Sequence, residues 1–238
     1  MSNKYIKLIN NKYCTNLKNE KKIVFSINKN IVQQVCFAQD GEDLVLDRLL
    51  DGKLDGFYID IGAHHPSRFS NTFLFYQRGW SGLNIDAQPK SMELFNLCRP
   101  RDINIECGVG LQEKNESFFQ FNEPALNTFN SEEARIKDHH PYYIESITTV
   151  KIRRLDDILL ENLKNGQKID FMSVDVEGFD LEVLMSNNWQ RVRPKFVLAE
   201  TLRTPLVFIQ NCPIVKYMDS VWYDVICKVY NTAFFERR

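Results

Sequence analysis

The chain has 238 residues, 44% hydrophobic and 26% charged, with a formal net charge of −1, the composition of an ordinary globular domain. So even a balance supplies no broad cationic field, so nucleic acid is not an expected partner. No apolar run reaches the ~18 residues of a membrane span, and six cysteines without a C-x-x-C pair predict free thiols and a cytoplasmic setting rather than a disulfide framework or a zinc site.

The first 35 residues are rich in Lys and Asn, weakly periodic and without the apolar core of a signal peptide; they are expected to form an arm or small cap ahead of a domain spanning 36–238. Frequent Asn, Lys and Ile fit an AT-rich bacterial genome. AQDGEDLVLDRLL places Val45 with Leu49 and Leu46 with Leu50 at i,i+4 after an acidic first turn, which predicts an amphipathic helix. GFYIDIG predicts a buried strand, and RFSNTFLFYQRG a helix closed by Gly79. GLNIDA (82–87) and INIECGVG (103–110) predict two further strands, with a helix over KSMELFNLC between them. SFFQFN and ITTVKIRR are strand-like by alternation and β-branching. LDDILLENL is a helix, KIDFMSVDVEG (168–178) a strand ending in acids, DLEVLMSN a helix and RPKFVLAE a strand. A helix near 213–222 precedes two strands joined too tightly for a helical crossover, hence an antiparallel hairpin at or near a sheet edge. Strands alternating with helices predict an α/β fold, a mostly parallel sheet with helices on both faces.

Four predicted strands end in, or next to, a carboxylate: Asp60, Asp86, Asp175 with Glu177, and Glu200. Doubly wound sheets bind ligands outside the carboxyl ends of their strands, so these acids are expected to face one crevice. Taken singly, each is an ordinary turn-former or helix cap, as Asp156, Asp157, Glu42 and Asp43 are expected to be. Gly62 opens a turn that lets a ligand approach the backbone, yet Ala63, His64 and His65 follow it, so the G-x-G-x-x-G pyrophosphate fingerprint is absent. Asp86, 26 residues after Asp60, suits an acid accepting hydrogen bonds from a ribose diol. A nucleoside with a cationic amino-acid tail satisfies both features, and S-adenosylmethionine is such a molecule. Adjacent His64 and His65 lack the i,i+4 spacing of a helical metal pair, although one of them can line the crevice. His139 and His140 are expected to be exposed, and Phe118, Phe119 and Phe121 to serve core or lid packing rather than base stacking.

AQDGEDLVLDRLL, FYIDIGAHHPSRFSNTFLFYQRGWSGLNIDAQP, RRLDDIL, IDFMSVDVEGFDLEVL and RPKFVLAE, in that order and spacing, resemble the FkbM-type family of S-adenosylmethionine-dependent methyltransferases. The resemblance covers roughly residues 36–238. It implies the class I (Rossmann-like) methyltransferase fold, a seven-stranded sheet with one antiparallel strand, and O-methylation. It also implies a cofactor site of Asp60, Gly62 and Ala63 at the turn, the ribose acid Asp86 with Ala87, Asn71 in the SNT segment, Gln39 and Glu42 closing over the cofactor, and Cys107 and Gly108 beside the adenine. Asp175 and Glu177 match the acids beside the reacting centre. His64 stands where the family often has Asn, and Asp86 where it often has Glu.

A sugar hydroxyl is a poor nucleophile at neutral pH and needs a base or a metal. The expected centre therefore has Asp175 beside the methyl group with His65 or Glu177 as base; a variant has Asp175, Glu200 and His65 gripping a divalent ion. The expected acceptor is a small sugar, nucleotide-activated or a surface-polysaccharide precursor, shaped by residues 111–150. Arg135, Lys137 and His139 are expected on a solvated face or against a phosphate. The rival classes are a nicotinamide-dependent oxidoreductase and a non-catalytic scaffold. The sequence sets no oligomeric state.

Overall fold

The computed structural model describes residues 34–238; the expected arm, apart from its last two residues, lies outside them. Seven strands form one sheet: β1 (Phe57–Ile61), β2 (Ser81–Asp86), β3 (Ile103–Glu106), β7 (Phe171–Val174), β8 (Phe196–Glu200), β9 (Tyr223–Val229) and β10 (Thr232–Arg237). Their order is β3-β2-β1-β7-β8-β10-β9. All pairings are parallel except those of β10, which runs antiparallel to both β8 and β9. The order reverses between β1 and β7, so a crevice opens there, at the carboxyl ends. The expected closing hairpin is present, with β9 at the edge.

Strand alternation divides the core into two layers. Ile59, Ile61, Leu83, Ile85, Met172 and Val174 pack against α5 (Leu155–Asn162), α6 (Asp180–Met185) and α7 (Pro213–Ser220). Tyr58, Phe171, Phe196, Leu198 and Phe234 face the other way, onto α1 (Glu42–Leu49) and α2 (Phe73–Gln77). Helices therefore cover both faces, as expected of parallel strands buried on both sides. α3 (Ser91–Cys98) packs Met92 and Phe95 against Ala63.

Two expectations need correction. The segment 103–110 is not one strand. It leaves the main sheet at Cys107, whose N–H donates to the Asp86 carbonyl (3.0 Å). It then pairs as β4 (Gly108–Val109) with β6 (Ile144–Arg153) in a second sheet, β4-β6-β5, completed by β5 (Lys114–Phe121). Gly108 makes the transfer possible: a Cβ there would lie 2.7 Å from the Phe129 ring. The helix expected from RFSNT begins only at Phe73: Ser70 Oγ accepts from the Phe73 N–H at the helix start, while Asn71 and Thr72 spend their side chains on Ser173 and Asp60.

Candidate active site

A cavity of about 110 Å³, open to solvent, lies at the switch point, where open α/β sheets bind their ligands. Gly62 forms its floor. Its φ of 80° and the 1.7 Å that would separate a Cβ from the Asp175 carbonyl oxygen leave no residue but glycine. The turn is fixed by Gly62 and Ala63 N–H groups donating to the Ile85 carbonyl (2.9 and 3.1 Å) and by Asp175 N–H donating to the Ile61 carbonyl (3.0 Å).

Asp86 ends β2 with its carboxylate buried. One oxygen accepts from His64 N–H (2.8 Å) and the other from Gln88 N–H (2.7 Å). Each oxygen keeps acceptor capacity, and the side chain lines the cavity. Burial, partly offset by these two amides, raises its pKa. Beyond it the wall is mostly apolar: Cys107, Gly108, Val109, Phe118 and Phe129, with the Phe118 and Phe129 ring centroids 4.7 Å apart. Burial pushes the Cys107 thiol up to about 11, so it serves as a small apolar surface rather than a nucleophile.

The opposite side carries acids. Asp175 lines the cavity and is accessible through it, yet protein packs densely around the carboxyl. Loss of hydration, then the negative charges of Glu177, Asp180 and Glu42, hold its pKa well above the ordinary value. No described residue donates a hydrogen bond to that carboxyl. Glu200 lies behind it, raised by burial and by Asp175, Glu177 and Asp180, with Oε2 buried and without a partner among the described residues. Asp180 is pushed up to about 7, chiefly by burial. Glu42, raised by burial, accepts from Asp40 N–H (2.9 Å) and Thr232 Oγ1 (3.3 Å).

A strand-end glycine with no room for a side chain, an acid at the end of the next strand and a crowded carboxyl at the switch point set the context for comparison with known proteins. The family model described as Methyltransferase FkbM domain matches residues 60–226. The chain belongs to the FkbM methyltransferase family. The matched domain model covers the main sheet from β1 to the start of β9, and the order β3-β2-β1-β7-β8-β10-β9 with one antiparallel strand is the arrangement that the resemblance implied. A search of curated proteins finds no match. Among solved structures, the chain is similar to a methyltransferase FkbM from Methylobacillus flagellatus (13% identity, TM-score 0.45), over 77% of this chain and 44% of that one. It thus spans under half of that protein's length. It is also similar to a TehB-like SAM-dependent methyltransferase from Corynebacterium glutamicum (8%, TM-score 0.41, 83% and 88% covered). A third likeness is to a precorrin-6y C5,15-methyltransferase from Geobacter metallireducens (11%, TM-score 0.39, 89% and 91% covered).

The family's cofactor fits the residues present: the Gly62 floor admits a ligand against the backbone, Asp86 offers two partly used oxygens, and an apolar slot adjoins it. Of the residues expected in the site, Gln39, Glu42, Gly62, Asn71, Asp86, Ala87, Cys107, Gly108, Asp175 and Glu177 all line this cavity. Asn71 also donates to Ser173 Oγ (2.9 Å), tying the SNT segment to β7.

Four expected residues do not line it. Asp60 shares the face of Tyr58 by strand alternation, so its side chain turns to α2. There it accepts from Thr72 Oγ1 (2.7 Å), and burial raises it to about 6. Ala63 is buried against α3. Glu200 sits behind Asp175. His65 turns away, its Nδ1 accepting from Ser67 and Arg68 N–H (3.1 and 3.0 Å); His64 takes the cavity wall instead, held neutral by burial down to about 4. With His65 elsewhere, the expected Asp175–Glu200–His65 metal set is not assembled. No group of three or more His, Cys, Asp or Glu among the described residues is placed to hold an ion.

Glu177 is not a free base, since its carboxylate pairs with Lys137, the residue expected on a solvated face. Sequence reasoning missed Gln88, Phe129, Asn127 and buried Arg99. Arg99 binds the Pro66 carbonyl, Thr72 Oγ1 and Ser70 Oγ, bracing the turn from behind. An arginine at the end of a helix reads as a complement to its dipole, so only a signal linking it to Thr72 would have found it.

Proposed function

We propose that residues 36–238 form a methyltransferase domain that methylates a hydroxyl of a sugar, a nucleotide-activated sugar or a surface-polysaccharide precursor. The observation that carries the reading is Asp175: the one expected catalytic group that lines the cavity without an ion-pair or hydrogen-bond partner for its carboxyl among the described residues. Bound S-adenosylmethionine supplies a methyl group on a cationic sulfonium. Gly62, Asp86 and Ala87 hold the nucleoside side; Gln39 and Glu42 border the tail. Asp175, with a cation beside it, favours its ionised form and accepts the proton that the acceptor hydroxyl releases. Cys107, Phe118 and Phe129 exclude water from one wall. Part of the acceleration comes from holding the reacting atoms in line.

Free thiols at Cys36, Cys107, Cys212 and Cys227 support a cytoplasmic setting. Among the described residues no helix is long and apolar enough to cross a membrane.

Calorimetric titration with S-adenosylhomocysteine, with NAD as control, tests the cofactor half. Micromolar binding of the first alone is expected, and NAD binding in its place would sink the assignment. For the acceptor half, Asp175→Asn is expected to lower methyl transfer to a sugar panel by about 10²–10⁴-fold with homocysteine-product affinity little changed. Loss of affinity without loss of fold would instead make Asp175 a cofactor ligand.

A further inference from the structure

The segment between β3 and α5 carries the second sheet and α4 (Ser131–Lys137). It grips the acidic loop after β7 at three points. Lys137 Nζ pairs with the Glu177 carboxylate, the two side chains only 14% and 20% exposed. Thr128 Oγ1 donates to the Glu177 carbonyl (2.8 Å). Glu133 closes on Gly178, where a Cβ would lie 3.1 Å from Glu133 Cγ, and is itself held by both arms of Arg203 (2.8 Å each).

Glu177 needs this grip. Its φ of 53° lies in the left-handed region, which costs a non-glycine residue on the order of 1–3 kcal/mol and persists only where the surroundings over-determine it. It also stands two residues from Asp175 in the same loop and pairs directly with the cation. Five carboxyl groups crowd this end of the sheet: Asp175, Glu177, Asp180, Glu200 and Glu42. Lys137 is the cation that acts against them at both Asp175 and Glu200. The insertion has its own apolar anchor in Phe118, Phe129, Val150 and Ile152, so a buried ion pair is not required simply to attach it. Removing one partner of such a pair leaves the other charge uncompensated.

We propose that Lys137 is a positioning residue for the methyl-transfer centre: paired with Glu177, it holds the 175–178 loop in place and keeps a positive charge beside Asp175. The role in transfer rests on the reading of Asp175 as proton acceptor; the electrostatic link between Lys137 and Asp175 does not.

The test is a side-chain carboxyl NMR titration of the full chain labelled with ¹³C-aspartate, with Asp175→Asn assigning the Asp175 signal. Wild type is compared with Lys137→Met and Lys137→Arg. Glu177, Asp180, Glu42 and Glu200 face Asp175 as acids and Lys137 as the cation. The Met variant is therefore expected to move the Asp175 midpoint upward, and the Arg variant to return it toward wild type, both keeping affinity for S-adenosylhomocysteine. An unchanged or lowered midpoint in folded Lys137→Met protein overturns the proposal. If that variant does not fold, Lys137→Gln, which keeps a donor to Glu177 without the charge, decides by the same criterion. Undiminished methyl transfer by Asp175→Asn would remove the base reading and leave the titration result standing, so the two failures are distinguishable.

Discussion

Around Asp86, each carboxylate oxygen meets a backbone N–H; around Asp175, carboxyl groups meet mainly one another. The two sides of the cavity share a floor, since the Gly62 turn touches the Asp175 carbonyl, but differ in what they store. The Asp86 side is organised by fixed donors before any ligand arrives, which keeps the cost of ordering low on binding. The Asp175 side holds acids whose neighbours oppose ionisation, so a cation or a proton arriving there changes the balance. On the proposed function, binding falls to the satisfied side and chemistry to the frustrated one, the pattern expected where perturbed carboxyls mark function.

The most damaging way to break this division is at the shared floor. Gly62→Ala places a methyl group against backbone that has nowhere to go and forces a left-handed φ on alanine. A loss of about 3 kcal/mol or more in urea unfolding is expected, together with loss of S-adenosylhomocysteine binding by calorimetry. Wild-type values for both would show that the two sides move apart freely.

The cofactor side also hides a titrating group behind its turn. Asp60 has a pKa of about 6 in the folded chain, raised mainly by burial, against about 3.9 unfolded. Between those values the folded chain keeps a proton that the unfolded chain has released. Asp60's contribution to stability is therefore full below about pH 4, falls as pH rises to about 6, and is flat above, a change of up to about 3 kcal/mol. Asp60→Asn removes this slope while keeping an acceptor for Thr72. The stability difference between wild type and variant should drift against wild type across that window; a constant difference from pH 4 to pH 7 would place Asp60's pKa near its unfolded value.

Asp86→Asn tests the satisfied carboxylate directly. It keeps one acceptor oxygen for the two backbone donors and the ribose together. A fall of about tenfold in S-adenosylhomocysteine affinity is expected, roughly 1.4 kcal/mol, with the unfolding midpoint of the free protein moved less than by Gly62→Ala. An unchanged affinity would remove Asp86 from the ribose role.

The central strands β1, β2, β7 and β8 were legible because they are buried on both faces and end in, or next to, glycine or acid, signals confined to a few adjacent residues. The parallel sheet, the closing hairpin and the placing of ten expected positions around one cavity rest on such local patterns. What the sequence did not disclose depends on side-chain direction and on contacts between distant segments. Asp60 stands one residue before the end of β1, whereas Asp86 ends β2, and the offset turns Asp60 to α2, where Thr72 and Arg99 wait. His64 and His65 exchange places because a left-handed φ of 53° at His64 re-aims the turn, and histidine gives no warning of it. The strand expected over 103–110 divides because Gly108 meets Phe129, twenty-one residues later. Lys137 looked like one charge among several until α4 set it on Glu177.

The smallest expected effect concerns the rim, where the two sides are bridged from above. Arg68 reaches across to Glu123 with both arms (3.0 and 2.9 Å) and lies 4.3 Å from the Phe69 ring centroid. Phe69, Pro124 and Ala125 line the cavity beside His64, so the clasp holds the two loops that border the cofactor side. Its side chains are 44% and 31% exposed, and an exposed pair contributes at most about 1 kcal/mol. Arg68→Ala should therefore leave the unfolding midpoint almost in place while weakening S-adenosylhomocysteine by about threefold, through faster release. Salt provides the sharper comparison. Screening loosens the wild-type clasp but has nothing to loosen in the variant, so the two affinities should converge as ionic strength rises. A gap that persists at high salt would assign the effect to lost packing on Phe69 rather than to the ion pair.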